Sequence, residues 1–156
     1  MVCGMKLFLD IDGVLLGRRQ PGSEDVCLAN HALSFLAFCD AHFECCWLTT
    51  HCRGDAAPVF PHLLRYTPPE DHARLLALTS TVLATDYGTF KTEALPSDEP
   101  FAWLDDSPTA AELEYLRERG WMSRWLWVNT REEPDDLLRA REWLALRLRG
   151  AHARTD

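Results

Sequence analysis

The chain has no long apolar run. None approaches the ~18 residues that a membrane helix needs, and Asp10 and Asp12 break the first apolar stretch. The amino terminus also lacks the basic, apolar and small-residue order of a secretory signal. It has no basic excess: 16 Lys and Arg stand against 24 Asp and Glu, a formal net charge of −8. Phosphate backbones reward clustered Lys and Arg, so a long polyanion-binding groove is not expected. None of the six cysteines is spaced C-x-x-C. Most sit in apolar segments, where a free thiol acts as a small hydrophobe. Reduced thiols and a cytoplasmic, non-membrane protein are therefore expected. A zinc site from Cys45, Cys46, His51 and Cys52 is disfavoured, because neighbours on a strand point to opposite faces. Internal repeats and low-complexity segments are missing too.

What is present alternates. With 156 residues the chain can bury one core, and residues 1–150 read as one domain, with 151–156 as a frayed tail. Apolar runs at 6–9, 43–48, 101–104 and 125–128 read as strands, with a short one at 82–85. Helical patterns fall between them. This is the signature of an α/β, three-layer Rossmann-like fold with a mostly parallel sheet. Residues 13–22 read as a loop or small hairpin. Ser23 is placed to cap a helix reaching about Ala41, with Val26, Ala29, Leu33 and Leu36 on one face. Thr67 and Glu70 fit a capping box, with Pro68 at the first helical position. Ser107-Pro108 opens a helix that Gly120 stops. The last helix starts near Pro134 and lines up Leu137, Ala140, Leu144 and Leu148. The tryptophans at 47, 103, 125 and 127 lie in strands and are expected in the core rather than as a base-stacking platform.

Three of these strands end in residues able to do chemistry: Asp10 and Asp12 after the first, Thr49 and Thr50 after the second, Asp105 and Asp106 after the third. In open parallel sheets ligands bind beyond the carboxyl ends of strands, where strand order reverses. Parallel neighbours would bring the three sets to one place. Four carboxylates there would raise one another's pKa. A hard divalent cation such as magnesium resolves that conflict, because it takes oxygen ligands.

Asp10-Ile11-Asp12-Gly13-Val14 after an apolar strand resembles the first motif of the haloacid dehalogenase superfamily. Thr49 resembles the second motif, Lys91 the third, and Asp105-Asp106 after Trp103-Leu104 the acidic pair of the fourth. The order matches over most of the chain. The stretches around Trp47 to His51 and Trp103 to Asp106 are most similar to small capless members, some associated with RNA repair.

The resemblance implies a magnesium-dependent phosphatase. In it Asp10 is the nucleophile, forming an aspartyl phosphate, and Asp12 is the acid and base. Thr49, ahead of its competitor Thr50, donates to the phosphoryl group, and Lys91 neutralises charge. Asp10, Asp12 (through its backbone carbonyl), Asp105 and Asp106 attend the metal, with Asp105 as the direct ligand of the last pair. Arg18, Arg19 and Arg53 are candidates for a second anionic group of the substrate, and His51 for a substrate contact. Too few residues separate the motifs for a substantial cap. The open site suits a phosphoprotein, a nucleic-acid end, or a small phosphorylated molecule covered by a second subunit of a homo-oligomer. The alternatives are a catalytically weak binding or regulatory protein and, more narrowly, a polynucleotide-end phosphatase. A receiver domain fits poorly, because its early acidic pair and mid-chain acceptor are in the wrong order.

Overall fold

The computed structural model describes residues 4–153. Along the chain run β1 (Lys6–Leu9), β2 (Leu16–Gly17), β3 (Cys27–Leu28), α1 (Ala32–His42), β4 (Glu44–Trp47), α2 (Val59–Arg65), α3 (His72–Thr79), β5 (Phe101–Asp105), α4 (Ala110–Glu118), β6 (Trp125–Trp127) and α5 (Asp136–His152). Four of the strands form a parallel sheet in the order β4-β1-β5-β6. β1 thus has β4 on one side and β5 on the other, and its carboxyl end is the point where strand order reverses.

The two-residue period of the strands sets the layers. Leu7, Leu9, Cys45, Trp47, Ala102 and Leu104 join one core with Phe35 of α1, Leu75 of α3 and Leu144 of α5. Phe8, Cys46, Leu48, Phe101 and Trp103 join a second core with Leu116 of α4. Both faces of the sheet are covered, which is why the strands read as continuous apolar runs rather than as alternating ones. The result is a three-layer α/β domain with no large inserted cap. Leu137, Ala140, Leu144 and Leu148 are all buried, as the period of α5 requires.

Several boundaries differ from the expected ones. The first helix starts at Ala32, not Ser23, because His31 sits at φ 66°, in the left-handed region that interrupts a helix. The residues before it form β3, antiparallel to β2, with Leu16 opposite Leu28. Val26 is accordingly 39% exposed. Thr67 caps nothing downstream: its hydroxyl donates to the Leu63 carbonyl at 2.7 Å and closes α2 instead. A short 3-10 turn, Pro69–Asp71, follows without a side-chain cap. Helical structure ends at Thr79, and the expected strand at 82–85 is one parallel bridge from Leu83 to Cys46. The fourth helix is capped by Thr109 rather than opened by Ser107. Helix α5 runs two residues past Gly150, and 154–156 lie outside the described residues. Trp47 and Trp103 are fully buried, whereas Trp127 on the edge strand is 41% exposed.

The cysteines at 27, 39, 45, 46 and 52 are free thiols. Burial pushes Cys45 up to about 12 and Cys46 up to about 11. The two thiols serve opposite cores. Among the described residues no cysteine belongs to a group close enough to share a metal.

Candidate functional site

Adjacent strands deliver the central carboxylates. Asp10 directly follows β1, and its amide donates to the Leu104 carbonyl at 3.1 Å, while Asp105 ends β5. The Lys91 ammonium bridges them, 2.6 Å from Asp105 Oδ2 and 3.2 Å from Asp10 Oδ2. Lys91 is held from its own backbone. Its amide donates to Oε2 of the buried Glu112 at 2.6 Å, and Glu112 Oε1 accepts from the Thr109 amide at 2.9 Å as part of the α4 capping box. Asp10 Oδ1 accepts from the Ile11 amide and Asp105 Oδ1 from the Ser107 amide, each at 2.9 Å.

Asp106 has looser contacts. Arg131 lies 3.5 Å from its Oδ2, and Ser107 Oγ lies 3.2 Å from its Oδ1. Its other neighbour is Gly13, at φ +78°, where an added Cβ would sit 2.1 Å from Asp106 Oδ2. Both the turn and the close approach demand glycine there. Gly13→Ala is therefore expected to displace Asp106 and lower divalent-cation affinity, with a stability loss on the order of 1–3 kcal/mol from the strained backbone. Urea unfolding and cation titration of that variant check both effects. Unchanged cation affinity would mean that Asp106 does not depend on this contact.

Burial raises the Asp10 pKa above the ordinary carboxylate range, and the charge of Asp105 raises it further, against the pull of Lys91. Burial and then Asp105 likewise raise Asp106. Burial opposes the charged form of Lys91, yet Asp10 and Asp105 outweigh it and raise the ammonium's pKa. Lys91 serves Asp10 and Asp105, and Arg131 reaches Asp106 only at 3.5 Å, so three carboxylates share two cations and the site is short of positive charge. Asp10, Asp105 and Asp106 each offer an oxygen within 4.8 Å of the others. A hard, oxygen-seeking divalent cation fits both the deficit and the donor set.

Asp12 turns elsewhere. Its Oδ2 lies 2.7 Å from His51 Nε2 and its Oδ1 lies 2.8 Å from His62 Nε2. Burial would raise its pKa, but the hydrogen bonds from His62 and His51 win and lower it. The four aspartates thus divide into a cluster of three, Asp10, Asp105 and Asp106, and one clasped by histidines. Asp10, Asp12, Thr50, Lys91, Asp106, Ser107 and Arg131 line one cavity of about 190 Å³. Thr49 is fully buried beside it in sequence, and its Oγ1 accepts from the His51 amide at 3.4 Å.

Arg18 and Arg53 are not among the lining residues. Arg53 is committed to the next loop, donating to the Tyr87 and Gly88 carbonyls and lying over the Tyr87 ring. Arg18 has a buried Nε without a partner among the described residues, and Arg19 lines a different depression with His31 and Arg74. Sequence reasoning missed Arg131 and His62. Arg131 had a usable signal, since it lies just beyond a fourth strand end, that of β6. His62 had none, because only the path of α2 brings it to Asp12.

The chain matches no family model, no curated protein and no solved structure. Fold and site define a small Rossmann-like α/β domain whose clustered acidic and histidine side chains can hold a divalent cation. Such a cluster is consistent with a metal-dependent hydrolytic site. Among the described residues no helix is long and apolar enough to cross a membrane.

Proposed function

We propose that this chain is a magnesium-dependent phosphatase of the haloacid dehalogenase type, working through a phosphorylated Asp10. The observation that carries the reading is the Asp10–Lys91–Asp105 network at the carboxyl ends of two adjacent parallel strands, with Asp106 beside it. Asp10, Asp106 and the backbone carbonyl of Asp12 are the groups that would hold magnesium. When bound, magnesium supplies charge that stabilises the phosphoryl oxygens.

The chain's own groups do the rest. The Asp10 carboxylate attacks phosphorus, and the bond from phosphorus to the leaving oxygen breaks. Asp12 gives that oxygen a proton. Asp12 then takes a proton from water as the water oxygen attacks the phosphorus on Asp10, releasing inorganic phosphate and restoring the carboxylate. The histidine pair keeps Asp12 ionised at rest, which suits this second step. For the first step, His51 and His62 are its hydrogen-bonded proton sources among the described residues. Lys91 holds Asp10 and offsets the incoming charge. Thr49 is assigned the hydroxyl donor at the end of β4, with Thr50 at the cavity wall.

The contacts favour Asp106 over Asp105 as the direct metal ligand. Asp105 is fully buried, with its oxygens held at 2.6 Å by Lys91 and 2.9 Å by the Ser107 amide, whereas Asp106 lines the cavity and its contacts to Ser107 Oγ and Arg131 are longer. The uncapped site suits phosphomonoesters carried on large molecules, whether a phosphoprotein or a nucleic-acid end, as well as a small phosphorylated molecule.

Hydrolysis of an aryl phosphate, measured after metal stripping and again with magnesium restored, tests the reading. Activity is expected to vanish with the metal and return with it. Full activity in excess chelator counts decisively against the proposal. In the same assay Asp106→Asn is expected to weaken magnesium dependence more than Asp105→Asn, whose main cost is stability through the stranded Lys91. Equal or reversed shifts would show the ligand assignment to be wrong.

A further inference from the structure

A second convergence of ligand atoms stands beside the carboxylates. His51 lies in the loop after β4 and His62 lies within α2, yet both aim Nε2 at the one carboxylate of Asp12. Their rings stack with centroids 3.7 Å apart and planes 22° apart. One ligand atom from each of the three residues lies within 4.8 Å of the other two. Orienting a carboxylate needs only ordinary hydrogen-bond donors. Two imidazoles sharing one focus with a carboxylate are the donor set that borderline transition-metal ions select. Magnesium prefers all-oxygen ligands, so the two clusters differ in kind.

Size and access also fit. Ligand atoms about 2.0–2.2 Å from zinc stand roughly 3.3 Å apart at tetrahedral angles. The histidines now meet different Asp12 oxygens, so side-chain rotation must bring three atoms that already lie within 4.8 Å of one another onto one ion. The side chains have room for that: Asp12 is 36% exposed, His51 29% and His62 22%. The same exposure leaves a fourth position to water.

We propose that Asp12, His51 and His62 form a site for a zinc-type divalent cation, distinct from the magnesium site, and that filling it arrests turnover. In the metal-bound form each imidazole keeps a proton on Nδ1 and gives the Nε2 lone pair to the metal, any further proton passing to solvent. Asp12, now a ligand, can neither protonate a leaving group nor take a proton from water. The arrest rests on the phosphatase reading, but the binding does not.

Cobalt(II) is the spectroscopic probe, titrated without substrate in saturating magnesium and then displaced by zinc. One equivalent of low-symmetry, four-coordinate cobalt, lost when zinc is added, is expected. His51→Gln and His62→Gln are each expected to weaken binding by more than the roughly 10–100-fold that losing a group merely supporting a ligand costs. Asp10→Asn should leave the cobalt spectrum and affinity unchanged. Absence of the bands overturns the proposal. So does binding that survives both histidine changes but is lost in Asp10→Asn, which would place the ion among the other carboxylates. In turnover, zinc is expected to inhibit in a way that excess magnesium does not relieve. Relief by magnesium overturns the arrest. Cobalt bands from a protein that hydrolyses no phosphate ester support the site and count against the phosphatase reading alone.

Discussion

Asp10→Asn is expected to abolish turnover and the phosphoenzyme together, whereas Asp12→Asn is expected to cost roughly 10²–10⁴-fold, the usual share of general acid–base catalysis. The two carboxylates sit two residues apart but in different surroundings. Asp10 is buried against Lys91 and Asp105, while Asp12 is half-exposed between two imidazoles. Asparagine at position 10 keeps an oxygen for the Ile11 amide and removes a charge that repels Asp105, so the fold should survive and the loss should be chemical. Asparagine at position 12 keeps one acceptor for the histidines but carries no proton to give. Its deficit should shrink for esters with good leaving groups, which depart with little protonation. With such an ester, phosphorylated Asp10 should accumulate in Asp12→Asn, because the water step still lacks its base. Rapid-quench measurement on both variants, across leaving groups, decides the matter. Turnover retained by Asp10→Asn would remove the nucleophile from the mechanism.

Lys91→Met is expected to be the most damaging single change to the site's integrity. The Lys91 side chain is 14% exposed and contacts two carboxylates that are themselves nearly inaccessible. Removing one partner of a buried ion pair leaves uncompensated charge and typically costs about 3–5 kcal/mol. Activity should fall with it, since the charge that offsets the incoming phosphoryl group goes too. Stability is the sharper readout, because it needs no substrate. Urea unfolding of Lys91→Met, of Asp105→Asn and of the double variant closes a cycle. The double variant should recover part of the loss, showing that the residues act as a unit. Added magnesium should stabilise Lys91→Met by mass action if the carboxylates hold the ion. Strict additivity would mean that Lys91 and Asp105 are neighbours without coupling.

The acidic cluster was legible because it depends on local rules. A strand's end is visible in sequence as the point where an apolar run stops, and Asp10, Thr49 and Asp105 each sit at one. A parallel sheet then brings such ends together whatever the loops do. Lys91 was legible only through resemblance, since nothing local in its loop reveals the Glu112 contact that aims it.

The sequence by itself determined the period of the strands, hence three layers, and the placing of carboxylates at strand ends. The tertiary structure alone decided where α1 begins. A helical spacing of apolar residues ran unbroken from Val26 to Leu36, yet pairing of β3 with β2 claimed the first part and a left-handed His31 separated the rest. It alone also decided which partner each aspartate took. Asp10 and Asp12 line one cavity yet take different partners: Lys91 reaches the first, while His62, fifty positions away on α2, reaches the second. Such pairings depend on where a helix lies on the sheet, and that is settled by packing in three dimensions rather than by local spacing.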